Sequence, residues 1–139
     1  MLKLPSIILL AALLATPAMA DTAIPDLRGT WKGDSESIVM GGGSPHHSAA
    51  QAAEPEFRSV SFTMTVTRQE GRRFVATFSS PKHTETIIGI VSRAGTIHVV
   101  DDDGFDTATL LAPDRMEMCY QHLSPAARIV SCTVLVKQP

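Results

Sequence analysis

From Val60 to Val66 the apolar residues fall on alternate positions, Val60, Phe62, Met64 and Val66, with Ser61, Thr63 and Thr65 between them. A period of two sends every second side chain to one face, so this stretch predicts a half-buried strand. Beyond a turn signal at Gly71 the alternation resumes, with Phe74, Ala76 and Phe78 on one face and Arg73, Thr77 and Ser79 mainly on the other. The two runs predict a long hairpin. Turn chemistry then recurs at short intervals, at SSPK (79–82), RAG (93–95), DDDG (101–104), APD (112–114) and LSPAA (123–127), with β-branched segments between. The pattern predicts eight strands, near 29–40, 57–69, 72–80, 84–92, 95–101, 105–111, 115–122 and 128–137, and no helical period separates them.

One connection is long. Residues 41–56, GGGSPHHSAAQAAEPE, are rich in Gly, Ala and Pro and carry no strand pattern, which predicts a mobile loop between the first two strands. Eight short-turned antiparallel strands either leave two hydrogen-bonding edges exposed or close on themselves. The expected fold is therefore all-β, an eight-stranded up-and-down barrel, with a β-sandwich as the alternative.

The first twenty residues change the length to be folded. Lys3, an apolar run from Ile7 to Ala15 and the small-x-small Ala18-Met19-Ala20 read as a secretory signal peptide. The run is much shorter than the ~20 residues that span a bilayer. Cleavage after Ala20 leaves 119 of the 139 residues, enough for a single domain from 21 to 139. Twelve basic residues less Lys3, against fourteen acidic ones, give the mature chain a formal charge of about −3 with no basic run. Nucleic acid is not an expected partner, and a periplasmic or secreted location is.

Two cysteines, Cys119 and Cys132, lie in this exported part, where an even count points to a disulfide. They are centred on LSPAA between two segments of strand composition, so an antiparallel hairpin sets them almost opposite. Antiparallel non-hydrogen-bonded pairs approach to ~4.5 Å between Cα atoms, which suits a bridge. That pairing puts Glu117 and Gln121 on the cysteine face and Met116, Met118 and Tyr120 on the other. Both faces are partly apolar. Either a bulge restores a clean alternation, or Glu117 and Gln121 enter the interior as polar ligand contacts.

The lone tryptophan sits in LRGTWKG, residues 27–33. In an eight-stranded barrel the interior is just wide enough for side chains or one small ligand, so a large ring at a narrow end closes it, and Gly29 allows the chain to pass close by. Lys137 from the last strand is the expected cation over Trp31, with Arg28 as a neighbour. Gly29-Thr30-Trp31 with a basic residue in the last strand resembles the calycin barrels, the lipocalins and avidins, whose first strand carries G-x-W. The resemblance implies a barrel whose one long loop, here 41–56, lids the open end. The chain also resembles the small exported bacterial inhibitors of metalloproteases, which share a barrel, a Gly-x-Trp near the start and one disulfide.

Candidate chemistry adds little. His46 and His47, with Glu54 and Glu56 downstream, offer metal-ligand types in a loop rather than on a rigid frame, and His83, His98 and His122 have no ligand spacing, so no metal is expected. DDDGFD places Asp101, Asp103 and Asp106 in an order faintly like a calcium loop, but without the spacing and terminal Glu of an EF-hand; a hairpin turn at Asp103-Gly104 accounts for it. There is no G-x-S-x-G, no phosphate-cradling glycine loop and no H-E-x-x-H, so neither an enzyme nor a cofactor is expected. The expected function is binding of a small apolar or amphipathic molecule lined by Trp31, Phe62, Met64, Phe74, Phe78 and Glu117. The alternative is a protein-interaction module, such as a periplasmic protease inhibitor or envelope assembly factor, using loop 41–56 or the N-terminal segment.

Overall fold

The computed structural model describes residues 23–42, 45–47 and 52–139. The expected signal peptide, 1–20, lies outside them. Nine strands follow in chain order: β1 (Gly29–Gly41), β2 (Ala52–Arg58), β3 (Ser61–Glu70), β4 (Arg73–Ser79), β5 (Thr84–Val91), β6 (Ile97–Val100), β7 (Phe105–Ala112), β8 (Arg115–Leu123) and β9 (Ala127–Lys137). From β3 onward each pairs antiparallel with the next, and β1 joins β3 to β9, so eight strands close into an up-and-down barrel. Closure leaves the barrel itself without an exposed edge, which is why this arrangement prevails over a sandwich. No helix occurs among the described residues.

The ninth strand corrects the expected loop. Gly29–Asp34 of β1 pair with β3, while Ser37–Gly41 pair with β2, so residues 52–56 are strand rather than loop. The two segments run in succession along one edge of β1, interrupted at Ser59-Val60. Ser35 bridges the gap: its amide donates to Val60 O at 2.9 Å and its Oγ accepts from Val60 N at 3.1 Å. Sequence periodicity misses β2 because, from Ala53 to Phe57, its side chains are exposed on both faces. Pro55 and the charges of Glu54 and Glu56 suit an edge of this kind.

Period-two burial runs round the barrel: Phe62, Met64 and Val66 in β3, Phe74, Ala76 and Phe78 in β4, Met116 and Met118 in β8, and Ile129, Ser131, Thr133 and Leu135 in β9. At one end Trp31, Leu27, Met64, Met116 and Leu135 belong to one core cluster and are almost wholly buried. Burying such side chains contributes roughly 1.5–3 kcal/mol each relative to leaving them in water. Gly29 has φ +112°, where an L side chain is strained, and it lets the chain turn into β1 beside Lys137. The Lys137 ammonium sits 5.4 Å from the Trp31 ring centroid and donates to Asp26 O at 3.0 Å.

Cys119 and Cys132 are directly opposed in the β8–β9 ladder and are joined by a disulfide, as expected. The bridge lies on the outer face. No bulge interrupts this ladder, so Met116 and Met118 turn inward and Glu117 is exposed. The expectation that Glu117 lines the interior is thereby corrected. Its place is decided by closure, since the β9 residues opposite the inward set are Ser131, Thr133 and Leu135, all buried. A disulfide fits an oxidising compartment.

Candidate functional site

At the end of the barrel away from Trp31, the same inward positions change from apolar to polar. In β1 the phase that buries Trp31 continues through Ser35 and Ser37; in β9 the phase that buries Leu135 continues through Thr133 and Ser131. Glu85 occupies the inward position before Ile87 in β5, and Asp106 the one before Ala108 in β7. Asp106, Tyr120, Ser131 and Ser37 stand in one cross-strand row over β7, β8, β9 and β1. Ser37 Oγ lies 2.9 Å from Ser131 Oγ and 3.1 Å from Ser35 Oγ, so the small hydroxyls satisfy one another.

On the opposite wall Phe62 and Phe78 stack, with centroids 4.7 Å apart and planes at 19°. The chamber between these walls is closed by His46 and His47. The His46 ring meets Phe62 and Phe78 edge-on, at 5.4 and 5.9 Å. Its Nδ1 is 2.9 Å from Ser80 Oγ and its Nε2 is 2.6 Å from Glu85 Oε1. Ser80 Oγ accepts from the amides of Lys82 and His83, which leaves its own proton for His46 Nδ1 and places the imidazole proton between Nε2 and Oε1. The remaining cavity is about 20 Å³ and is lined by His46, His47, Glu85, Asp106 and Tyr120 together with the two phenylalanines. That is room for about one water.

Burial sets the electrostatics of this chamber. Asp106 is 5% exposed, and burial, with the repulsion of Asp101 and Glu85, pushes its pKa from 3.8 up to about 7. Burial also pushes Glu85 up, opposed by its hydrogen bond from His46. Burial, then His46 and Arg58, push the His47 pKa down, disfavouring its charged form. Its Nδ1 is buried without a hydrogen-bond partner, which is true of no other side-chain N or O among the described residues. Burial, followed by its bond to Asp103, raises the Tyr120 hydroxyl; that hydroxyl donates to Asp103 Oδ1 at 2.7 Å. Gly104 makes room for the Tyr120 ring, since a Cβ there would lie 2.3 Å from Cε2. Asp101 Oδ1 accepts from the amides of Asp103 and Gly104, so DDDG is the expected turn.

Of the residues expected to line a ligand, Phe62 and Phe78 line this chamber. Trp31, Met64 and Phe74 are buried but stand outside this chamber, and Glu117 is on the outer face. Glu54 and Glu56, the expected companions of His46, lie exposed on β2, where Glu56 pairs with Arg58. His46 meets Glu85 and His83 instead. Sequence reasoning missed Glu85, Asp106, Ser131 and Thr133. The available signal was a polar residue in the inward phase of an otherwise apolar strand.

Neither a protein-family model nor a curated protein matches the sequence. Among solved structures, the chain is similar to an S-type phycobiliprotein lyase from Guillardia theta, at 12% identity and a TM-score of 0.36, over 81% of this chain and 89% of that one.

Proposed function

We propose that this protein is an exported barrel that binds one small amphipathic molecule at its His46 end, without catalysing a reaction. The observation that carries this reading is unspent polar capacity in a buried place: the orphan Nδ1 of His47, a residue that lines the chamber together with Asp106 and the stacked Phe62–Phe78 pair. Buried polar groups without partners cost about 1–3 kcal/mol, and a ligand bearing a polar head and a compact apolar body offsets that cost. With one water's worth of space, entry requires the 45–47 segment to withdraw. Among the described residues its side-chain hydrogen bonds run from His46 to Ser80 and Glu85 and from Arg58 Nη1 to His47 O, the last at 3.5 Å. Native mass spectrometry of mature protein purified from its own host is expected to show one retained small molecule, released on denaturation. A bare polypeptide mass under those conditions overturns the reading.

A second reading, a protein-interaction module, is favoured by a different observation. Phe57, Ile38, Val130 and Phe105 fall in one cross-strand row on the outer face, with only Gln121 between the last two, and all four apolar residues are exposed. Contiguous exposed apolar surface marks association sites. If this reading holds, a stoichiometric partner co-purifies from periplasmic extract and is lost with Val130→Lys; co-purification unchanged by that substitution removes the row from consideration.

A further inference from the structure

We propose that His46, His83 and Glu85 form a binding site for one divalent transition-metal ion of the zinc class. Their ligand atoms all lie within 4.8 Å of one another. The three residues come from the segment over the barrel mouth, from the β4–β5 turn and from the start of β5, so the fold, not sequence spacing, assembles them. With bonds of ~2.0–2.1 Å, a tetrahedral ion holds its donors about 3.3 Å apart. Seating an ion therefore spreads the 2.6 Å His46–Glu85 pair by less than an ångström and draws the widest pair in by no more than about 1.5 Å. On binding, the ring proton passes from Nε2 to Nδ1, which then donates to Ser80 Oγ, so that the Nε2 lone pair and Glu85 Oε1 both face the ion.

The surroundings are those of a built site. The Glu85 side chain is 4% exposed and that of His46 10%, so both donors are already desolvated and held. Ser80 Oγ fixes the far nitrogen of His46 at 2.9 Å and also receives the His83 amide at 3.2 Å. One hydroxyl thus orients two of the three donors, as outer-sphere partners do in metal sites. The His46 and His83 rings approach to 5.0 Å between centroids, edge to face. Two imidazoles and one carboxylate suit zinc, copper, nickel or cobalt; calcium and magnesium require oxygen donors throughout. Three protein donors leave a fourth position for water or an incoming donor atom. The inference does not rest on the small-molecule reading, because it uses the 45–47 segment where it already lies.

The test uses the mature chain, stripped with a chelator and titrated with Zn²⁺ by calorimetry and with Co²⁺ by visible absorption. One ion per chain and an intense tetrahedral cobalt spectrum are expected. His83→Ala and Glu85→Gln are each expected to weaken Zn²⁺ binding about 100-fold or more. His98→Ala, on the exposed face of β6, is expected to leave it unchanged. Binding equally strong in wild type and His83→Ala, or no binding at a one-to-one ratio, overturns the proposal. If Glu85→Gln does not fold, His83→Ala still decides, since it alters a half-buried turn residue. Native masses are read without added metal, so a failure here is distinct from a failure of the small-molecule reading.

Discussion

At one end of the barrel the Trp31 indole, wholly buried, donates to Leu27 O at 2.8 Å, while Gln69 receives the Leu27 amide and donates to Pro25 O, both at 2.8 Å. At the other end the His46 imidazole enters from a loop segment and is held by Ser80 and Glu85. The first closure is a strand residue in register with its neighbours, with each polar atom answered within the barrel and the chain leading into it. The second is a side chain inserted from outside, among carboxyls that burial drives toward their neutral forms. One end is built to stay shut. The other keeps polar capacity that folding alone does not use.

The largest effect is expected from removing the first closure. Trp31→Ala opens a large apolar hole, leaves Leu27 O without its donor and takes the ring from under Lys137, so urea unfolding should show a loss of about 4 kcal/mol. A loss under ~2 kcal/mol would mean that the Trp31 end is no more essential than the His46 end. Next comes the disulfide, which ties β8 to β9 on the outside of the wall that carries Ser131 and Thr133. The double substitution Cys119→Ser, Cys132→Ser is expected to cost about 3 kcal/mol while circular dichroism still reports the β-fold. Wild-type protein from an oxidising compartment should contain no alkylatable thiol.

Asp106 sharpens the contrast through pH. Its folded pKa, about 7, is above its ordinary 3.8, so the folded chain holds the proton more tightly than the unfolded one. Its contribution to stability is complete below about pH 4 and is lost as pH rises through about 7. Asp106→Asn is therefore expected to stabilise the protein by about 2 kcal/mol at pH 8 and to make little difference at pH 3, read from paired denaturation curves. A pH-independent difference would place Asp106 in a wetter setting than its burial indicates. The smallest effect belongs to His46→Ala, about 1 kcal/mol, because it removes two hydrogen bonds at a mouth and none in the core. Faster amide exchange at positions 46 and 47, with the core amides unchanged, would accompany it.

The barrel, its turns, the Trp31 plug under Lys137 and the Cys119–Cys132 bridge were all legible in the chain. Each depends on neighbours along a strand or across one hairpin, where period two and turn chemistry speak directly. β2 was not legible, because a strand exposed on both faces has no alternation to read. The side of Glu117 was left open for a related reason: β8 and β9 carry apolar residues on both faces, and the inward one is set by which face meets the rest of the barrel.

The sequence by itself determined an all-β chain of alternating strands, an apolar lining from Phe62 to Phe78 and two cysteines placed to pair, because these follow from backbone periodicity and local geometry. Only the tertiary structure decided that Glu85, Asp106, Ser131 and Thr133 share one chamber and that His46 and His83 meet over it. Those residues lie on strands and loops far apart in the chain. Their proximity is a consequence of curvature and register around a closed sheet, and a one-residue shift in any ladder would turn them out to solvent.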